Sequence, residues 1–190
     1  MENEKENIVP NDRRAITIHS YSLWKHREFD TKISIYYLPK NSYKEEGYII
    51  KAKIQIVRDS KIGYITKKYF DKIYKKFENI NLKALKKESY QGCDGWQLEV
   101  KMGMLKCTNE VLYEPLKFTE KIKNISLWSP MEDKKRPEMS KLLKLIKSIE
   151  AKIEFDKWYD YNYKEWEKYS DTFYDLRDIF RINFDIDDDW

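Results

Sequence analysis

From Trp96 to Met102 apolar and polar residues alternate without a fault. Trp96, Leu98, Val100 and Met102 fall on one face, and Gln97, Glu99 and Lys101 on the other. A period of two is what a strand with one buried and one wet face requires; a helix would scatter the same residues around its circumference. Asp94-Gly95 opens this strand as a turn and Gly103 reads as its end, with Met104 to Leu112 expected as the hairpin partner. The alternation recurs around Ile16 and Ile18, from Lys32 to Leu38, and from Tyr48 to Arg58. Three such runs at short spacing predict an antiparallel meander, and Asp59 to Gly63 reads as the break that ends it. Lys121 to Trp128 reads as a further extended segment, closed by Ser129-Pro130.

Two stretches change period. Tyr69, Ile73, Phe77 and Ile80 recur at spacings of four, four and three behind Thr66, a residue suited to capping a helix. Leu142, Ile146, Ile149 and Ile153 repeat that spacing behind Pro137 and Glu138, which suit a first helical turn. The chain therefore predicts an α+β fold: an antiparallel sheet with two helices on one face, over residues 15–153. Residues 1–14 read as a polar arm. Residues 154–190 form a third unit, an additional aromatic-rich helix over 155–180 with an acidic end.

That last unit carries the strongest global signal. Its 37 residues hold 12 acidic against 5 basic side chains, a net of −7, and leave the remaining 153 at +11. It also concentrates rings, with Trp158, Tyr159, Tyr163 and Trp166 among its carboxylates and Asp187, Asp188, Asp189 and Trp190 at the end. Aromatic residues give large contact area at low rotamer cost, and a carboxylate array complements a basic surface. These eight residues are the candidate binding set. Packing of the helix on its own sheet, with its charges answering the basic body, is the competing expectation, because a large exposed apolar stripe favours aggregation.

Composition excludes several classes. At 15% aromatic residues the chain is not disorder-like, and no apolar run approaches the length of a membrane span. The charged N-terminus lacks the apolar core of a secretory signal, and two cysteines, Cys93 and Cys107, are few for a disulfide scaffold. A cytoplasmic protein follows as the expectation, with no membrane partner and no cofactor.

Other chemistry is weaker. Lys67, Lys68, Lys72, Lys75, Lys76, Lys83, Lys86 and Lys87 crowd one stretch and make nucleic-acid binding by the basic body the alternative reading; their spacing equally fits solvated helix faces. Asp94 with Glu99-Val100-Lys101 has the residue order of a metal-dependent nuclease signature, but the interval between the carboxylates is short for it. His19 and His26 with the two cysteines would have to converge from distant positions to hold zinc. In its lysine-rich α+β composition the chain resembles bacterial and phage immunity or inhibitor proteins, a resemblance that assigns no residue. The charge split and the rings after Phe155 make a non-enzymatic module the leading expectation, an inhibitor or immunity-type protein that binds another protein, such as a toxin or a nucleic-acid-handling enzyme, through the acidic aromatic segment.

Overall fold

A computed structural model of the chain describes residues 12–22, 30–39, 46–54, 60–89, 96–106 and 116–165. Six strands form one antiparallel sheet: β1 (Arg14–Ser22), β2 (Thr31–Leu38), β3 (Gly47–Ile54), β4 (Ser60–Ile65), β5 (Trp96–Leu105) and β6 (Phe118–Trp128). Their order across the sheet is β4-β3-β2-β1-β5-β6. The first three make the expected meander, β4 extends it at the edge of β3, and β5 returns to pair with the other side of β1. The helices α1 (Lys67–Glu78), α2 (Leu82–Glu88) and α3 (Pro137–Glu150) cover one face. A 3-10 turn, Ala151–Ile153, follows α3, and a helix, α4, begins at residue 155 and is described to 165. The α+β architecture expected from the periodicities is thus the observed one.

Alternation selects the faces. Ile16 and Ile18, Ile33 and Ile35, Ile50 and Ala52, and Leu98, Val100 and Met102 all point to the helices and are buried. Against them α1 sets Phe70, Ile73, Tyr74 and Phe77, with Phe70 and Phe77 at 0% exposure, and α3 adds Met139, Leu142, Leu145, Ile146 and Ile149. Burying each large apolar side chain contributes roughly 1.5–3 kcal/mol, so this layer dominates stability.

Helix ends are answered from other elements. Thr66 accepts from the Tyr69 amide at the start of α1. At its end, Lys123 of β6 donates to the carbonyls of Phe77 (2.9 Å) and Ile80 (2.8 Å), groups a helix leaves unpaired. The helices α2 and α3 cap each other. Glu88 accepts from the amides of Glu138 (3.2 Å) and Met139 (2.7 Å), and Glu138 accepts from the Asn81 amide (2.8 Å). Arg14, at the start of β1, reaches Asp12 (2.6 Å) and Asp71 (2.7 Å) and lies over the Phe70 ring at 5.0 Å. Tyr48 donates to Asp12 at 2.8 Å; burial and this carboxylate push the Tyr48 hydroxyl up to about 12.

Three expectations about the strands need correction. Ser60 to Ile65 forms an edge strand on β3 instead of a break. Gly103 does not end β5. It lies inside that strand at a register shift, where a Cβ would stand 1.9 Å from the Glu120 carbonyl oxygen. The partner of β5 is β6, with Leu98 opposite Leu127 and Val100 opposite Ile125; of the expected hairpin arm, Met104 and Leu105 belong to β5 itself and residues 107–112 lie outside the described set.

Candidate functional site

Among the described residues, the helical layer does not close the whole sheet face. Beyond α3 the strand ends of β1, β2 and β5 floor a cleft of about 930 Å³, at the upper end of the roughly 300–1,000 Å³ typical of ligand pockets. Its base is apolar, made by Ile18, Ile33 and Leu98. One wall is the last two turns of α3, with Leu143, Ile146 and Glu150; the opposite wall is α4, with Phe155, Tyr159 and Tyr163.

The path from α3 to α4 explains why a gap remains. Glu154 adopts a left-handed conformation (φ 49°, ψ 46°), which ends the 3-10 turn and redirects the chain. Just before it, Ile153 is seated on β4: a Cβ on Gly63 would lie 2.4 Å from the Ile153 Cγ2. After it, Phe155 is buried, with its ring 5.9 Å from Trp158 and 5.8 Å from Tyr159. The start of α4 is thus pinned to the core, and Tyr159 one turn on packs against that core while lining the cleft.

Charge around the cleft is one-sided. Asp30, Glu132, Glu150, Asp156 and Asp160 line it, with Lys147 as the only basic side chain among the lining residues. Lys147 is committed to Glu132 at 3.0 Å, and Lys144 joins the same carboxylate at 3.5 Å. Hydrogen bonding from Lys147 holds the Glu132 carboxyl below its usual range. Glu150 is different. Burial pushes its carboxyl above the ordinary carboxylate range and Asp156 pushes it further, against a smaller downward pull from Lys147. It is also the final residue of α3, where the helix dipole disfavours an anion.

The expected binding residues divide. Tyr159 and Tyr163 come together on the cleft wall, one helical turn apart. Trp158 does not line the cleft; like Tyr159 it packs half-buried against the core, and its carbonyl accepts from Asn162 at 2.7 Å. Trp166, Asp187, Asp188, Asp189 and Trp190 lie outside the described residues. The acidic set contributed by the residue before β2, by the loop after β6 and by α3 was missed from sequence, because nothing in the spacing of Asp30, Glu132 and Glu150 brings them together.

The other candidates fall elsewhere. Glu99 and Lys101 pair with each other at 2.7 Å on the sheet face away from the helices, and Asp94 is outside the described residues. His19 stands opposite Glu99 on that face; burial lowers its pKa, against the pull of Asp30 and Glu99. His26, Cys93 and Cys107 are not among the described residues. Among those that are, no group of three or more His, Cys, Asp or Glu side chains is arranged to hold a metal ion, and no helix is long and apolar enough to cross a membrane. The eight lysines of α1 and α2 all face water.

Comparison of the chain with protein-family models, with curated proteins and with solved structures returns no match.

Proposed function

We propose that the chain is a non-enzymatic protein-binding module of inhibitor or immunity type, and that it engages its partner through the cleft walled by α4. The observation that carries this reading is the cleft in which the half-buried Leu143, Tyr159 and Tyr163 stand over a buried apolar floor. The aromatic segment is anchored by Phe155 yet leaves rings at an acidic opening, and Tyr161, at 63% exposure, faces outward from the same helix. Aromatic anchors around an apolar centre with a charged rim are the features from which protein interfaces draw most of their affinity. An acidic rim suits a basic surface, such as that of a nucleic-acid-handling enzyme or toxin.

The test compares two variants of the tagged full-length chain in recovery of bound protein from host extract. Tyr159→Ala combined with Tyr163→Ala removes the cleft's rings, whereas Tyr64→Ala removes an exposed ring from the far edge strand. A partner retained by the wild type and by Tyr64→Ala, and lost from the double variant, is the expected result. Recovery unchanged by the double variant contradicts the reading.

A further inference from the structure

An anion at Glu150 is costly in three independent ways: it is half-buried, it terminates α3, and it faces Asp156. No described side chain forms an ion pair with Glu150, Asp156 or Asp160, although Glu132, Glu138 and Glu154 nearby all have lysine partners. Asp156 and Asp160 sit one turn apart on α4 and face the same opening. Below them lie Ile18, Ile33 and Leu98, which offer nothing to a charge and everything to a hydrocarbon chain. Tyr159 and Tyr163 line the same opening, and tyrosine rings attract guanidinium and ammonium groups.

We infer that the cleft receives a basic, apolar-flanked segment of the partner protein, with a lysine or arginine cation seated among Glu150, Asp156 and Asp160 and its apolar neighbour on the sheet floor. The inference rests on the cleft being the recognition surface and names what that surface selects. The long apolar stem of lysine or arginine lies along the floor while its charged end meets the rim, an arrangement these amphipathic side chains adopt readily. An arginine makes two parallel bonds to one carboxylate, which a small amine does not. The acidic residues 166–190 of the chain itself carry the wrong charge for this seat.

The probe is a short fluorescein-labelled peptide alternating leucine and arginine, titrated with the full-length chain at physiological salt and read by anisotropy. Binding is expected to weaken about tenfold or more in the combined Glu150→Gln, Asp156→Asn variant, as loss of charge-assisted hydrogen bonds requires. Replacing the leucines of the peptide by serine is expected to weaken it comparably, and replacing the arginines by glutamate to abolish it. Asp156→Asn with Asp160→Asn, both at exposed positions, gives the same readout without touching the half-buried Glu150. Unchanged binding in both carboxamide variants overturns the inference. So does equal binding of the serine peptide, which would indicate a diffuse charge field, or displacement of the peptide by spermidine at matching concentration, which would indicate a small-amine site. If Tyr159→Ala with Tyr163→Ala loses the peptide while the carboxamide variants keep it, recognition by the cleft stands and the cation assignment falls. If neither set has an effect, both fall.

Discussion

Two grooves flank α3 and share Glu132, but they differ in how far their charges are answered. On the side toward α1 a groove of about 720 Å³ is lined by Lys76, Lys134, Lys141 and Lys144 together with Glu132 and Asp133. There several charges are answered within the chain: Glu138 holds Lys141 at 3.3 Å, Glu132 holds Lys144 at 3.5 Å, and Asp133 faces Arg136 at 3.6 Å. On the other side the cleft gathers carboxylates, and among the described residues no ion pair answers Glu150, Asp156 or Asp160. Exposed ion pairs contribute little to stability, so the first groove is an ordinary solvated flank. The second is the place where the fold accepts an electrostatic cost that a partner can relieve.

The comparison breaks most visibly if α4 proves to be core. Phe77→Ala empties a site under α1 and is expected to cost about 3–5 kcal/mol in urea-induced unfolding. Tyr163→Ala, on the open wall, is expected to cost under about 1 kcal/mol. Equal losses from the two would place α4 in the core and remove the distinction between closed and open regions. Next in size is Glu88→Ala, which uncovers two amides at the start of α3, the helix shared by both grooves; a loss of about 1–2 kcal/mol is expected.

The smallest effects sharpen the comparison through their signs. The folded-state pKa of Glu150 is raised, so the folded chain holds that proton more tightly, and stability falls as pH rises through the interval and stays lower above it. Glu150→Gln is therefore expected to raise the melting temperature slightly at pH 7 and to leave it unchanged near pH 4. The pKa of Glu132 is lowered, so its contribution is present above the unfolded value and is lost as pH falls through the folded one. Glu132→Gln is expected to lower the melting temperature slightly at pH 7 and to have no effect in acid. Shifts of the same sign from both substitutions would contradict the account of the two grooves.

Most of the sheet was legible because its inward residues are apolar and strictly alternate, and the stripes of α1 and α3 were legible for the corresponding reason. The edge strand β4 was not, because its inward position at Gly63 carries no side chain. The apolar group that fills that space is Ile153, ninety residues later in the chain. Gly103 misled for a related reason: it is a glycine because β6 presses a carbonyl against it, a contact invisible to local pattern. Of the cleft, the spacing of Tyr159 and Tyr163 announced one wall. Its floor could be read only as core, and Glu150 only as a polar residue at the end of a helix.

The most direct measurement is methyl NMR of the full-length chain, isotopically labelled at isoleucine and leucine and titrated with the leucine-arginine peptide. The account predicts shifts at Ile18, Ile33, Leu98, Leu143 and Ile146, with Leu38 and Ile49 on the opposite sheet face unmoved. Shifts confined to that opposite face or to Leu82 and Leu85 of the lysine-rich α2, or no shifts at saturating peptide, would contradict it.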